Sequence, residues 1–106
     1  MNINITESTT IKNGQTTVDG CKRGYTGFCN KHRSGISWDV EILITDDIGG
    51  IVDSVMRHFY FNDWDNNGKF RRNFQIPRTA HGAIAMALKE WRADEKAATE
   101  LKINSN

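Results

Sequence analysis

Four features that this sequence lacks narrow the kinds of protein that it can encode. It has only two cysteines, too few for a disulfide framework, and no apolar run approaching the roughly 18 residues of a membrane-spanning helix. It has no charged leader followed by an apolar stretch, and no glycine-rich phosphate loop after a strand. We therefore expect a soluble cytoplasmic protein with no membrane segment and no cofactor.

Length and composition predict one small domain. The chain has 106 residues and a mass of 12.0 kDa, which lies within the usual size of a single core. Its apolar content of 38% is enough for one packed core, so we do not expect global disorder. A chain of this size leaves little room for a deep active-site cavity between lobes.

Residues 36–44 carry the clearest strand pattern in the chain. Apolar residues occupy every second position from 36 to 44, so one face of this strand is predicted to be core. Further strands are predicted at 25–31, at 51–61 and, after a turn at 65–68, at 69–76. The segment 51–61 also fits a helix, and we favour a strand because it is rich in β-branched and aromatic residues. A turn is predicted at 46–50.

The two ends of the chain complete the predicted fold. Residues 1–20 resemble a light hairpin or arm that turns at Asn13-Gly14. Pro77 ends the last strand, and Thr79 is a suitable N-cap for a helix. That helix has a predicted buried stripe that thins at Glu95. The stripe consists of Ala80, Ile84, Ala87, Leu88, Trp91, Ala98 and Leu101.

The predicted fold class is α+β. A three-stranded, or four-stranded, antiparallel sheet packs on one C-terminal amphipathic helix. The predicted organisation is an N-terminal hairpin or arm at 1–20, a sheet-plus-helix domain at 21–102 and a frayed tail at 103–106.

Several motifs resemble chemical sites but lack a required residue. Cys21, Cys29 and His32 give only three neighbouring zinc ligands where a structural site needs four. The segment that begins at Asp63 copies half of a calcium loop, but Phe74 stands where the bidentate glutamate belongs. No histidine neighbours a serine or cysteine nucleophile in a recognisable order. We therefore expect no metal, no catalytic residue and no enzymatic activity.

Charge is unevenly distributed although the net charge is only +1. Segments 20–35 and 67–78 carry four cations each and no acid, whereas 36–66 carries seven acids and one arginine. The two basic segments could form one surface for nucleic acid, and the acidic segment between them counts against strong nonspecific binding.

The strand and helix segments, taken in order, resemble the Apetala / ethylene-response-factor type of DNA-binding domain, which also occurs in phage proteins and homing endonucleases. The resemblance covers about residues 22–95. It is carried by Gly24-Tyr25-Thr26-Gly27-Phe28, Lys31-His32-Arg33-Ser34-Gly35, Trp38-Asp39-Val40-Glu41-Ile42, Gly68-Lys69-Phe70-Arg71-Arg72-Asn73-Phe74-Gln75-Ile76 and Ala83-Ile84-Ala85-Met86-Ala87-Leu88-Lys89-Glu90-Trp91.

In that family a three-stranded sheet enters the major groove of duplex DNA with the helix behind it. The resemblance implies DNA contacts from Lys31, Arg33, Glu41, Lys69 and Arg71, with the Glu41 carboxylate placed to accept from cytosine. Strand alternation independently places Glu41, Lys69 and Arg71 away from the core.

The sequence departs from the family at several positions. Thr26, Cys29 and Leu43 stand where many members are basic, Asp39 adds a negative charge to the proposed face, and 45–66 is a long acidic insertion. Fewer cations predict modest affinity and a shallow salt dependence.

The first function hypothesis is thus a small phage- or mobile-element-encoded regulator or accessory factor that binds duplex DNA in a bacterial host cell. The second is a phage-type inhibitor of a host defence protein complex, comparable to an anti-CRISPR protein. It would bind through the acidic segment and its aromatics, namely Asp46, Asp47, Tyr60, Asp63 and Trp64. A third alternative is a homodimer that pairs exposed strand edges.

Overall fold

A computed structural model describes residues 3–18, 20–31, 37–60, 62–64, 70–72 and 76–104, with the backbone alone for 62–64, 70–72 and 102–104. The strands are β1 (Thr10–Val18), β2 (Cys21–Lys31), β3 (Trp38–Thr45), β4 (Ile51–Phe59), β5 (Asn62–Trp64) and β6 (Phe70–Arg72), and the helix is α1 (Ala80–Asn104). The order β1-β2-β3-β4 forms an antiparallel sheet, and β5 pairs with β6 separately.

The predicted fold class is confirmed, with four strands in the sheet that packs on α1. Alternation along β3 places Trp38, Val40, Ile42 and Ile44 toward the helix, and all four are buried. They meet the helix stripe of Ala83, Ile84, Ala87, Leu88 and Trp91 in one apolar core. This helix-covered side is called the inner face below, and the opposite side is the outer face.

Polar contacts fix the helix along its length. Thr79 caps it as predicted, because its Oγ1 accepts from the Gly82 N–H at 3.0 Å. Farther along, the Trp91 indole donates to Asp53 at 2.8 Å, and Arg57 of β4 binds Glu90 at 3.1 Å and Asp94 at 3.0 Å. These contacts hold α1 over the middle of the sheet.

The predicted helix stripe is correct up to Trp91 and wrong beyond it. Ala98 is exposed and Leu101 is 70% exposed, whereas the sequence pattern placed both in the core. The helix continues past the strands that cover its first half, so its last turns have less sheet to pack against. Burial thins near Glu95, as predicted.

The predicted turn at Asn13-Gly14 is wrong, because β1 runs without interruption through both residues. The turn lies instead between Val18 and Cys21, where Gly20 has a φ of 78°. Gly14 serves a different purpose, since an added Cβ there would lie 2.6 Å from the Tyr25 hydroxyl. The glycine makes room for the Tyr25 ring, and β1 becomes an edge strand of the sheet.

The predicted strand within 51–61 is confirmed as β4, and it lies inside the sheet beside β3. The segment 45–66 therefore contains a strand of the sheet, and it is not only an insertion between strands. Within the predicted strand at 69–76, the structure describes β6, which pairs with β5 and does not join the four-stranded sheet. The sheet position that the family resemblance gave to 69–76 is occupied by β4.

Candidate functional site

Glu41 is buried, so its predicted role as a groove contact has less support and stays a prediction. Its side chain points to the outer face, as alternation predicted, but it is only 1% exposed. It lies directly between Phe28 on β2 and Met56 on β4. Strand alternation predicts the face of the sheet to which a side chain points. The neighbouring strands and their side chains decide whether it is covered there.

The segment 3–9 packs at this outer face. Asn30, which the register assigns to the outer face, donates to the Asn4 carbonyl at 2.7 Å and accepts from the Thr9 hydroxyl at 2.6 Å. Ile3 is buried as well, outside the inner-face core. Part of the surface predicted to dock on DNA is thus occupied by the chain itself.

The remaining predicted DNA contacts do not gather around Glu41. Lys31 lies directly opposite Trp38, so it belongs to the inner face at the end of β2, where it is exposed. Arg33 and Lys69 lie outside the described residues. Arg71 lies in β6, and only its backbone is described. Among the described strand residues that the register assigns to the outer face, Lys22 is the only lysine or arginine.

Acidic and aromatic groups occupy the β4 side of the outer face. Asp39 binds His58, whose ring stacks on Tyr60 with centroids 5.8 Å apart. Partial burial, followed by the charge and hydrogen bond of Asp39, raises the pKa of Tyr60. A carboxylate at this position opposes binding of a phosphate backbone.

The residues predicted to bind a protein partner also lie in different parts of the structure. Asp46 and Asp47 lie in the β3–β4 turn, whereas Tyr60 follows the far end of β4, roughly 30 Å away at strand rise. Asp63 and Trp64 lie in β5, and their side chains are not described. The two turn carboxylates are therefore the part of this set that shares one surface.

The same turn has a rigid backbone. Oδ1 of Asp46 accepts from the N–H groups of Ile48 at 3.1 Å and Gly50 at 2.8 Å. The Asp46 N–H donates to the Gly50 carbonyl at 2.9 Å, and Gly49 takes a φ of 84°, which suits glycine. The turn thus has a fixed shape before any partner arrives.

This turn and the start of β4, residues 46–52, are called the hairpin tip. Ile48 is 92% exposed, Ile51 64% and Val52 51%, so three large aliphatic side chains face water within five residues. Single exposed apolar side chains are ordinary, but three of them within five residues, next to Asp46 and Asp47, mark a candidate interaction surface. The sequence signal for this surface is an isoleucine within a polar turn. The predicted protein-binding residues did not include Ile48.

An open cavity of about 390 Å³ adjoins the hairpin tip. Val52 contributes to both, so the apolar surface continues from the tip into the cavity. Val18 and Trp91 form the other apolar walls, and Asp53 and Glu95 add carboxylates. Arg23 also lines the cavity, so its walls combine apolar side chains with charges of both signs.

The geometry of β2 prevents Cys21 and Cys29 from binding one zinc ion together. Cys21 and Cys29 lie at opposite ends of one extended strand, about 26 Å apart at the usual rise, so they cannot share one metal ion. His32 lies outside the described residues. Burial, and then the Asp39 charge, raises the pKa of Cys29 to about 11, so its thiol stays neutral at physiological pH.

Comparisons with protein-family models, curated proteins and solved structures gave no match to this chain. Within the described residues, no helix combines the length and the apolar character needed to cross a membrane.

Proposed function

We propose that this chain is a non-enzymatic protein-binding module that contacts its partner through the hairpin tip. The observation that carries the proposal is Ile48, a large apolar side chain held almost fully in water by a turn with a fixed backbone. Full burial of an aliphatic side chain of this size contributes about 1.5 to 3 kcal/mol. A rigid turn loses little conformational entropy on binding, so more of that free energy supports the complex.

The chemistry of the hairpin tip indicates the kind of partner that it fits. Its aliphatic side chains require an apolar recess, and the exposed Asp47, beside Asp46, favours lysine or arginine at the rim of that recess. Proteins that bind single-stranded nucleic acid combine a positively charged groove with exposed aromatic side chains, so they offer both basic and apolar contacts. Inhibition of a nucleic-acid-binding host defence complex, the second sequence hypothesis, is consistent with this chemistry.

Binding of duplex DNA stays a prediction, and the described residues give it less support. Lys31 and Glu41 lie on opposite faces, and carboxylates or the chain's own N-terminal segment occupy much of the outer face. Partner capture and a separate duplex-binding assay together distinguish the two hypotheses.

The test is capture of partners from a nuclease-treated bacterial lysate by purified protein. We expect wild type to retain a discrete protein, and Ile48→Asp to lose about tenfold or more of it, because a charge replaces the apolar anchor. Ile5→Asp is the matched control, since Ile5 is 50% exposed and lies at the opposite end of the sheet. It should retain the partner as well as wild type does.

Two results would contradict the proposal. In the first, every retained protein binds Ile48→Asp and wild type equally. In the second, wild type binds mixed-sequence duplex DNA at low salt, Lys31→Ala weakens that binding, and Ile48→Asp leaves it unchanged. The second result would favour the DNA hypothesis instead.

A further inference from the structure

The outer edge of β4 is a second surface that the proposed function does not use. β4 is the last strand of the four-stranded sheet, and no described strand pairs with its other side. Natural proteins usually protect such edges with prolines, bulges, charges or a covering segment. β4 has one irregularity, opposite Ile44 and Thr45, and continues regularly from Asp53 to Phe59.

We propose that this edge pairs antiparallel with β4 of a second copy of the chain, about a two-fold axis at Val55. In this register Val55 faces itself, and Ser54 faces Met56 of the second copy. Asp53 faces Arg57 of the second copy, and by symmetry Arg57 faces Asp53. Asp53 and Arg57 are thus each paired with the opposite charge, and Val55 is paired with the same apolar residue of the second copy.

The choice of register follows from which side each residue faces. Asp53, Val55 and Arg57 are paired with inner-face residues of β3. Residues directly opposite each other must lie on the same face of the sheet. An alternative register therefore shifts the partner of each residue by two positions along the strand. The adjacent registers place Asp53 opposite Val55 or opposite Phe59. The register centred on Val55 is the one of these three that joins opposite charges.

Both charged side chains can make this contact without leaving their present partners. Arg57 uses three of its N–H donors, on Glu90, Asp94 and the Met56 carbonyl. An arginine has five such donors, so two are available to the second copy. Each carboxylate oxygen of Asp53 accepts one hydrogen bond, from Ser54 or Trp91, and each can accept another.

The other edge strand, β1, lacks this complementarity. Its charged residue is Lys12, and no acid lies within the strand. A two-fold axis at its central Gly14 would place Lys12 opposite Thr16, with no charge pair. The asymmetry between the two edges points to a closed dimer through β4 and not to a growing fibre.

The resulting dimer would have one continuous sheet with both helices on the same side. The paired stretch, residues 53–57, leaves the hairpin tips free at opposite ends of the joined strands. A short strand pair buries less surface than a standard interface, so we expect a dissociation constant of roughly 1 to 100 µM. Two tips on one dimer would strengthen binding to a repetitive partner.

Sedimentation velocity of the purified full chain over a dilution series tests the dimer. Reductant is needed, because the exposed Cys21 could form adventitious disulfides. We expect mass to rise from the 12.0 kDa chain toward twice that value as concentration increases. Asp53→Asn should weaken association about threefold to tenfold, because it removes the charge of the intermolecular pair. Asp94→Asn is the matched control, since it removes a partner of Arg57 within one chain, and it should have little effect.

Ser54→Lys supplies a second variant whose folding is not in question, because Ser54 is exposed and its side chain lies outside the core. Lysine on an edge strand opposes strand addition, so this variant should be monomeric over the same range. A monomeric wild type at roughly 100 µM would overturn the proposal. A wild-type dimer that persists equally in Asp53→Asn and Ser54→Lys would also overturn it, by assigning the dimer to another surface.

The dimer and the proposed function can fail independently. Ile48→Asp lies outside the paired stretch and should dimerise as wild type does, although it loses the protein partner. Loss of the dimer with partner capture retained would reject this inference alone.

Discussion

The middle and the tip of the β3–β4 hairpin contain the same kinds of aliphatic residue in opposite environments. Ile42 and Ile44 are fully buried beneath α1, with Val55 beside them. A few residues along, Ile48, Ile51 and Val52 face water. At the tip, Val52 lines an open cavity with Trp91 and Glu95 of α1, and Ile48 lies in the turn beyond the paired strands. Close packing against α1, and not residue type, decides which part of the hairpin is core.

This difference teaches where function can reside in a small domain. Aliphatic residues in the middle of the hairpin stabilise the fold, so their presence needs no other explanation. The exposed aliphatic side chains of the tip contribute no comparable burial within one chain, yet hydrogen bonds fix the backbone of the turn. We therefore expect substitutions in the middle to affect stability, and substitutions at the tip to affect binding.

The largest expected effect comes from shortening the same residue type in the two places. Ile42→Ala should lower the free energy of unfolding by about 2 to 5 kcal/mol, because it removes buried methyl groups and leaves a cavity. Ile48→Ala should change it by less than about 0.5 kcal/mol, because the side chain is already in water. Urea unfolding followed by circular dichroism measures both. Similar losses in the two variants would mean that the tip is part of the core.

The two cysteines allow the same comparison along β2, with a smaller expected effect on stability. The folded-state pKa of Cys29 is raised from 9.0 to about 11, so its contribution to stability is complete below pH 9. It is lost as pH rises from 9 through 11, by about 2 to 3 kcal/mol relative to a Cys29→Ala variant. Unfolding measured at pH 8 and near pH 11 in both proteins isolates this term.

The reactivity of the two thiols tests independently whether Cys29 is buried and Cys21 is exposed. In native protein at neutral pH, the exposed Cys21 should react with a thiol reagent, whereas the buried Cys29 should react only on unfolding. Equal reactivity of the two thiols in the folded chain would contradict the burial of Cys29.

The smallest expected effect on stability lies within the tip itself. Asp46→Ala removes two hydrogen bonds from the turn and should lower the free energy of unfolding by about 1 kcal/mol. It should also weaken partner binding, because the turn loses its fixed shape. Asp47→Ala is the control for stability, since Asp47 is exposed and its side chain makes none of the turn contacts given above. Equal effects of the two variants on stability would show that Asp46 does not organise the turn.

Much of the fold was predictable because its signals are local. Alternation in 36–44, the turn at 46–50 and the Thr79 cap each depend on a few neighbouring residues. The structure confirms the turn, the cap and, over the described residues 38–44, the alternation. The β1–β2 turn also had a local signal, Asp19-Gly20, but Asn13-Gly14 is an equally good hairpin dipeptide. Choosing between the two requires the pairing of β1 with β2, which local pattern does not contain.

The candidate site was less predictable because it depends on contacts between distant segments. β2 buries Gly27, Phe28 and Cys29 in succession, so it has no alternation from which the face of Lys31 could be inferred. Burial of Glu41 depends on two neighbouring strands. Exposure of Ile48 depends on whether another segment of the chain packs on the turn, which the local sequence pattern does not contain.

The central claim, that the hairpin tip contacts a protein partner, is tested most directly by a photo-crosslinking residue placed at position 48. On irradiation in host cells, we expect a discrete covalent adduct with one protein, and no such adduct when the same residue replaces Ile5 at the opposite end of the sheet. No protein adduct from position 48, or the same adducts from both positions, would contradict the claim.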